Sequence, residues 1–331
     1  MRILQAEADG HSQLISDISA GLIATVQEEK GVLWLDLSHE DEQEAVEALL
    51  NGVFAFHPLA IDDALTETHL PKIDDWESYL YLVFQDVDYV PETRRLRLPE
   101  LDVFLGYRFL VTYHKGSAEA LDRVWEICQR DERWLQHGSD HLLYRLLDEI
   151  ANNYTKVIEV LEDDLSELEA MIFDNPAQGV LEDLFTFKRT TLRLRRVLAP
   201  QREVVSRLAR DPYRVIGPKD RVFFRDVYDH FWRLYDLSEN LRDLVMGSMD
   251  IYLSVVNNQM NDVMRTLTVI TTLFMPLTVL TGFFGMNFFQ AANPSPFWTG
   301  QPLLIVVLLV LFLLPFVMLL WMRRRAWTKS L

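Results

Sequence analysis

Residues 267–284 read LTVITTLFMPLTVLTGFF and residues 302–322 read PLLIVVLLVLFLLPFVMLLWM, and neither run contains a charged side chain. A bilayer core about 30 Å thick is crossed by a helix of roughly 18–20 apolar residues, so each run is long enough to span it. Between them lie only residues 285–301, with Asn293, Pro294, Ser295 and Pro296 marking a tight extramembrane loop. Phe297, Trp298 and Trp321 suit membrane–water interfaces. Arg265 stands just before the first span, and Arg323, Arg324, Arg325 and Lys329 just after the second, while the loop has no basic residue. The excess of positive charge on the cytosolic side then predicts that both termini are cytosolic.

The two spans differ in chemistry. The second is Leu, Val, Ile and Phe all round, with Pro315 as a kink, and suits lipid. The first carries Thr268, Thr271, Thr272, Thr278 and Thr281 with Gly282 and Pro276, which suits close helix packing or a wet lumen. Upstream of it, no proline occurs between Pro218 and Pro276, and Gly247 is the sole glycine there. Apolar residues including Val222, Leu234, Leu241, Leu244 and Val245 recur at helical spacing. This predicts one helix from about residue 219 through the membrane to 284, roughly 100 Å at 1.5 Å per residue. A helix of that length is stable only when packed, most simply against copies of itself.

One face of this helix carries Asn261, Met264, Leu267, Thr271, Met275, Thr278, Gly282 and Gly285, at steps of three and four residues. The lining is amide, thioether, hydroxyl and glycine, without carboxylate, His or Cys. Such a face cannot strip water from a small hard cation, but it can pass one that keeps its shell, as Mg²⁺ does. Met and Leu rings can also gate by dewetting. The same spacing equally describes a coiled-coil seam with no lumen. Two spans per chain cannot enclose a pore, so the pore reading requires an oligomer.

Residues 1–135 read as a cytosolic α/β domain. Strand-like runs lie at 31–37, 79–90, 101–105 and 109–113, and helical ones at 40–50, 58–65 and 118–130. Residues 136–218 read as an antiparallel helical hairpin, one arm acidic and one basic. The long helix follows over 219–285, with the first span at about 266–285. The loop at 286–301, the second span at 302–322 and a basic tail at 323–331 complete the chain. The fold class is thus an α+β membrane protein with a cytosolic α/β domain, a long helical funnel or coiled-coil region and two C-terminal transmembrane helices.

The last acidic residue is Asp262, so all 49 acidic residues lie in the first 262 positions, against 27 of the 32 basic ones. An acidic body repels nucleic acid and attracts cations, although a solvated surface explains the same charge. The single cysteine, Cys128, permits no internal disulfide and no cysteine-built zinc site within the chain. The opening MRILQAEADG lacks the apolar core of a signal peptide. No Gly-rich phosphate loop and no nucleophile–base pair is evident, so neither a nucleotide partner nor an enzyme is expected.

The first span ends in Gly285-Met286-Asn287, within MPLTVLTGFFGMNF (275–288). With two C-terminal spans, a long preceding helix and a basic tail, this resembles the CorA family of magnesium transporters, the two-span GMN metal-ion transporters. FRDVYDH (224–230), DIYL (250–253), residues 257–267, HPLAIDDAL (57–65) and Pro71-Lys72 extend the likeness; only the first thirty or so residues fall outside it. The resemblance implies a homopentamer in the cell (inner or plasma) membrane, a cytosolic funnel, and passive entry of Mg²⁺ driven by membrane potential, with Co²⁺ and Ni²⁺ as passengers. It implies Gly285, Met286 and Asn287 at the selectivity filter, and Asn261, Met264, Leu267, Thr271, Met275, Thr278 and Gly282 along the pore and its gate. It further implies an intracellular regulatory Mg²⁺ between subunits, matched by Asp63 and Asp250 with Asp62 as a helper. Mg²⁺ is thus both transported and regulatory ion. Two departures weaken the ion assignment: Phe284 stands where the family often has Tyr, and residues 288–299 lack an acidic residue. A Zn²⁺ transporter of the same superfamily, with or without proton coupling, is the alternative; a membrane-anchored scaffold is a distant one.

Overall fold

The computed structural model describes residues 1–6, 12–14, 31–66, 70–131, 133–174, 178–286 and 301–324. They form two compact units, Met1–Tyr252 and Leu253–Leu331.

The first unit is built on a seven-stranded sheet in the order β2-β1-β3-β9-β8-β5-β4. The strands are β1 (Arg2–Ala6), β2 (Ser12–Leu14), β3 (Val32–Ser38), β4 (Lys72–Asp75), β5 (Tyr79–Gln85), β8 (Glu100–Gly106) and β9 (Phe109–His114). β3 and β9 run parallel, Leu33 opposite Phe109 through Ser38 opposite His114, and the other pairs are antiparallel. VLWLDLS of β3 is buried in all but its last residue, as a strand covered on both faces must be. On one face, Leu33, Leu35, Tyr81, Val83, Phe104 and Val111 pack against Val46 of α1 (Gln43–Ala48) and against Ala60, Ile61 and Ala64 of α2 (Pro58–Thr66). On the other, Trp34 meets Trp125 of α3 (Glu119–Arg130) edge-on at 4.8 Å. Each fully buried large apolar side chain contributes about 1.5–3 kcal/mol relative to exposure.

The expected single strand over 79–90 is broken. β5 stops at Gln85, and β6 (Asp88–Val90) pairs instead with β7 (Arg95–Arg97) in a separate two-stranded sheet. Asp86 is the cause. Its carboxylate is 2 % exposed and accepts hydrogen bonds from Val87 N (2.8 Å), Ala120 N (3.3 Å) and Asn153 Nδ2 (2.9 Å). The chain turns to cap the start of α3 rather than continue the ladder. The helix expected at 40–50 begins at Gln43 and ends in a π-helical turn, Leu49–Val53.

A short α4 (Arg133–Gln136) leads to α5 (Ser139–Asp174) and α6 (Gln178–Arg210). Part of the basic run on α6 is used internally. Arg195 pairs with Glu239, Arg207 lies 3.5 Å from Asp211, and Arg202 and Arg210 lie 4.6 Å and 5.7 Å over the Tyr235 and Tyr228 rings.

α7 (Arg221–Phe284) is one helix of 64 residues. Within the first unit it buries Phe224, Val227, Phe231, Leu234, Ser238, Leu241, Val245, Ser248 and Tyr252. The alternating three- and four-residue steps form one stripe. Val222 and Leu244, expected on the apolar face, are 66 % and 52 % exposed. Two small residues, Ser238 and Ser248, occupy the stripe instead: the Ser238 hydroxyl donates to Tyr235 O one turn back, and the Ser248 hydroxyl lies within reach of both Glu169 Oε1 of α5 (2.5 Å) and Leu244 O (2.8 Å). The helix is thus packed along its own domain in a single chain, before any second copy is added. The second unit holds the rest of α7 and α8 (Gln301–Arg324).

Candidate functional site

In the second unit, α7 has two unlike faces. Arg265, Val269, Thr272, Leu273, Pro276, Leu277, Leu280 and Phe284 are buried or half-buried. Asn261, Met264, Leu267, Thr271, Met275, Thr278, Gly282 and Gly285 are all exposed. At about 100° per residue, the midlines of the two sets lie roughly opposite one another. The polar stripe therefore faces away from whatever the chain itself covers. Its largest members stay open, Met264 57 %, Leu267 56 % and Met275 66 % exposed. The apolar 18-residue windows of α7 and α8 are each only 6 % buried, so neither is the core helix of a soluble domain.

The threonines have a fixed hydrogen-bond state. Thr271 Oγ1 donates to Leu267 O (2.9 Å) and Thr278 Oγ1 to Phe274 O (3.0 Å); Thr266, Thr268 and Thr281 bond back in the same way. Each hydroxyl has one hydrogen, and here it is used, which leaves the oxygen lone pairs as acceptors. The face then offers acceptors (hydroxyl oxygens and the Asn261 carboxamide oxygen) together with the Asn261 NH₂ donors, interrupted by thioethers and one Leu. Water around a cation turns its hydrogens outward, so the acceptors of this lining suit a hydrated cation.

At the end of α7, Gly285 N donates to Thr281 O (2.9 Å) and Met286 N to Phe283 O (3.3 Å). The second bond spans three residues, a tightening common at a helix C-terminus. A Cβ on Gly285 would stand 3.0 Å from Thr281 O, closer than ordinary contact. Glycine at 285 thus lets this last turn close. Asn287 lies outside the described residues, as do most of the loop at 286–301 and the tail from 325.

In the first unit, Asp62 and Asp63 lie on α2. Thr66 Oγ1 donates to Asp62 O at 2.6 Å. Asp63 Oδ2 is held by Lys72 Nζ from β4, and the same ammonium reaches Asp74 Oδ2 at 3.2 Å. Burial pulls the Lys72 pKa down, but the two carboxylates outweigh it and the net shift is upward. This pairing has no signature in the sequence beyond Lys72 following Pro71. Asp250 is exposed on α7, and it shares a seven-residue register with Asn257, Met264, Thr271, Thr278 and Gly285. Among the described residues, no three His, Cys, Asp or Glu side chains of one chain converge to hold a metal.

A family model described as CorA-like Mg²⁺ transporter protein matches residues 29–324. The cobalt/magnesium transport protein CorA of Thermotoga maritima is 30% identical over 295 residues, 89% of this chain and 83% of that protein. The zinc transport protein ZntB of Photorhabdus laumondii is 28% identical over 224 residues, 67% of each chain. Among solved structures, the complete CorA magnesium transporter of Methanocaldococcus jannaschii superposes with a TM-score of 0.78 at 24% identity, covering 95% of this chain and 96% of that one. The last of these speaks for the fold: a mixed α/β domain, a long helix and two apolar C-terminal helices.

Proposed function

Because the chain belongs to the CorA-like Mg²⁺ transporter family, we propose that it is a homopentameric channel of the cell membrane through which Mg²⁺ enters passively. Co²⁺ and Ni²⁺ are the accompanying substrates. The observation that carries this reading is the exposed stripe of α7, rich in oxygen acceptors and without a charged group, turned away from the face the chain covers. Five copies of it facing one another make a lining that bonds to an ion's water shell without replacing it. Asn261, Thr271, Thr278, Gly282 and Gly285 are the polar and open positions of that path, and Met264, Leu267 and Met275 its dewetting constrictions. Gly285 and Met286 end the helix so that Asn287 meets the ion at the outer mouth. A divalent ion moving inward gains about 4.6 kcal/mol per 100 mV of inside-negative potential, so no nucleotide is needed. Both termini are cytosolic in this arrangement.

Intracellular Mg²⁺ closes the channel by binding between subunits through Asp63, with Asp62 beside it. Among the described residues, one chain brings too few such ligands together, and in this reading a second copy completes the site. The pairing of Asp250 with Asp63 rests on the family resemblance alone.

Similarity to a zinc transport protein keeps Zn²⁺ as the second reading. The donor set disfavours it: the stripe from Asn261 to Gly285 has no His, Cys or carboxylate, the groups that bind bare Zn²⁺. The test uses purified protein in liposomes loaded with a Mg²⁺-sensitive dye, under an inside-negative potential. Mg²⁺ entry that Asn287→Ala abolishes is expected. Absence of Mg²⁺ entry alongside Zn²⁺ entry that follows a pH gradient overturns the magnesium reading.

A further inference from the structure

Lys72 Nζ holds Oδ2 of Asp63, so a metal ion that takes this oxygen has to displace the ammonium. The Lys72 backbone is fixed in β4, opposite Val83 of β5. Its ammonium touches Asp63, lies 3.2 Å from Asp74 and stands 5.1 Å over the Tyr81 ring. The side chains of Lys72 and Asp63 are 29 % and 33 % exposed, so the contact is open enough for a soluble ion to reach. We propose that Lys72 is a tethered counter-ion that occupies Asp63 in the absence of Mg²⁺ and sets the concentration at which Mg²⁺ displaces it. The inference rests on the reading above that Asp63 takes the regulatory ion.

Three observations carry it. The ammonium and a divalent cation compete for the same carboxylate, and the chain keeps the ammonium at high local concentration. The ammonium has a second resting place: once displaced, it keeps Asp74 and the face of Tyr81, a cation–π partner. Displacement therefore strands no charge, and the exchange is close to a swap of partners. Finally, the cost of that swap is adjustable. A partly exposed ion pair contributes up to about 1 kcal/mol, so losing the competitor moves the Mg²⁺ midpoint about fivefold.

The test is an MgCl₂ titration of the full-length protein in detergent, read as protection from limited proteolysis rather than as flux. Lys72→Met is expected to respond at about fivefold lower Mg²⁺ than wild type, and Lys72→Arg at the wild-type concentration. Asp74→Asn leaves Asp63 as the one carboxylate paired with the ammonium, with only the Tyr81 face beside it, and is expected to raise the midpoint. That variant acts in the opposite direction and keeps the lysine, so it decides the matter even where Lys72→Met folds poorly. A midpoint that Lys72→Met leaves unchanged or raises, or that Asp74→Asn leaves unchanged or lowers, overturns the inference. Asp63→Asn separates the two levels. Loss of the Mg²⁺ response supports Asp63 as ligand and leaves the Lys72 result to stand on its own; a retained response removes Asp63 from the site, and Lys72's role with it.

Discussion

Replacing Thr271 by Val tests whether the exposed stripe of α7 handles ions through its oxygen acceptors. Val nearly matches Thr in shape, and the helix loses only a side-chain bond to Leu267 O, so the backbone ladder stays intact. What disappears is an acceptor on the ion path. A net hydrogen bond in a solvated setting contributes about 1 kcal/mol. If, in the proposed pentamer, the shell of a passing ion engages two of the five hydroxyls at once, the loss is about 2 kcal/mol, or roughly thirtyfold in rate. The assay is initial Mg²⁺ entry into liposomes at fixed potential. Thr271→Ser keeps the hydroxyl and is expected to conduct within about threefold of wild type. Thr266→Val is the control for position: Thr266 makes the same bond to Asp262 O (2.9 Å), yet five residues away it lies about 140° round the helix. Its flux should be unchanged. Equal losses from Thr266→Val and Thr271→Val, or no loss from either, would refute the assignment of the stripe as the ion path.

Other outcomes follow from the fold. Asp102 is 1 % exposed and accepts the Tyr81 hydroxyl at 2.6 Å, while its other oxygen is unpartnered. Burial pushes its pKa well up. The folded state then holds the proton more tightly than the unfolded one, so stability is greatest at low pH and falls as pH rises through the raised value. Asp102→Asn keeps an acceptor for Tyr81 and removes that cost. Its Tm advantage over wild type should widen from pH 5 to pH 8, and an advantage constant with pH counts against the account. Asp86→Ala strips partners from Val87 N, Ala120 N and Asn153, and should lower stability by about 2–4 kcal/mol in thermal unfolding; a loss under 1 kcal/mol contradicts its role in ending β5. Gly247→Ala adds a methyl that meets nothing within 4 Å in a single chain. It should stabilise α7 by about 0.5–1 kcal/mol, whereas a lowered Tm would mean that another copy packs there.

Legibility varied with how local the cause was. The spans could be read because charge is absent over 18 and 21 residues, and α7 because nothing in its sequence breaks a helix before Pro276. The end of β5 could not be read, because Asp86 turns the chain through Asn153, 67 positions later. Ser238 and Ser248 escaped as core residues because their hydroxyls find partners, Tyr235 O for one and Glu169 or Leu244 O for the other, that only the packing reveals. β1, in the part of the chain that no motif supported, pairs with both β2 and β3 and so joins β2 to the rest of the sheet. On the candidate path, the stripe positions were legible by spacing. The donor state of its threonines and the grip of Lys72 on Asp63 were not, since both depend on rotamers and on strand register.

Met264, Met275 and Met286 stand eleven residues apart along the first span and its end, and are 57 %, 66 % and 46 % exposed. Their thioethers are soft, weak acceptors that water wets poorly. Oxidation to the sulfoxide gives each a strongly polar S=O group and is reversed by reductases. In the proposed channel, peroxide would therefore turn hydrophobic collars into hydrophilic ones, and the oxidised form should leak at Mg²⁺ levels proposed to hold the reduced one shut.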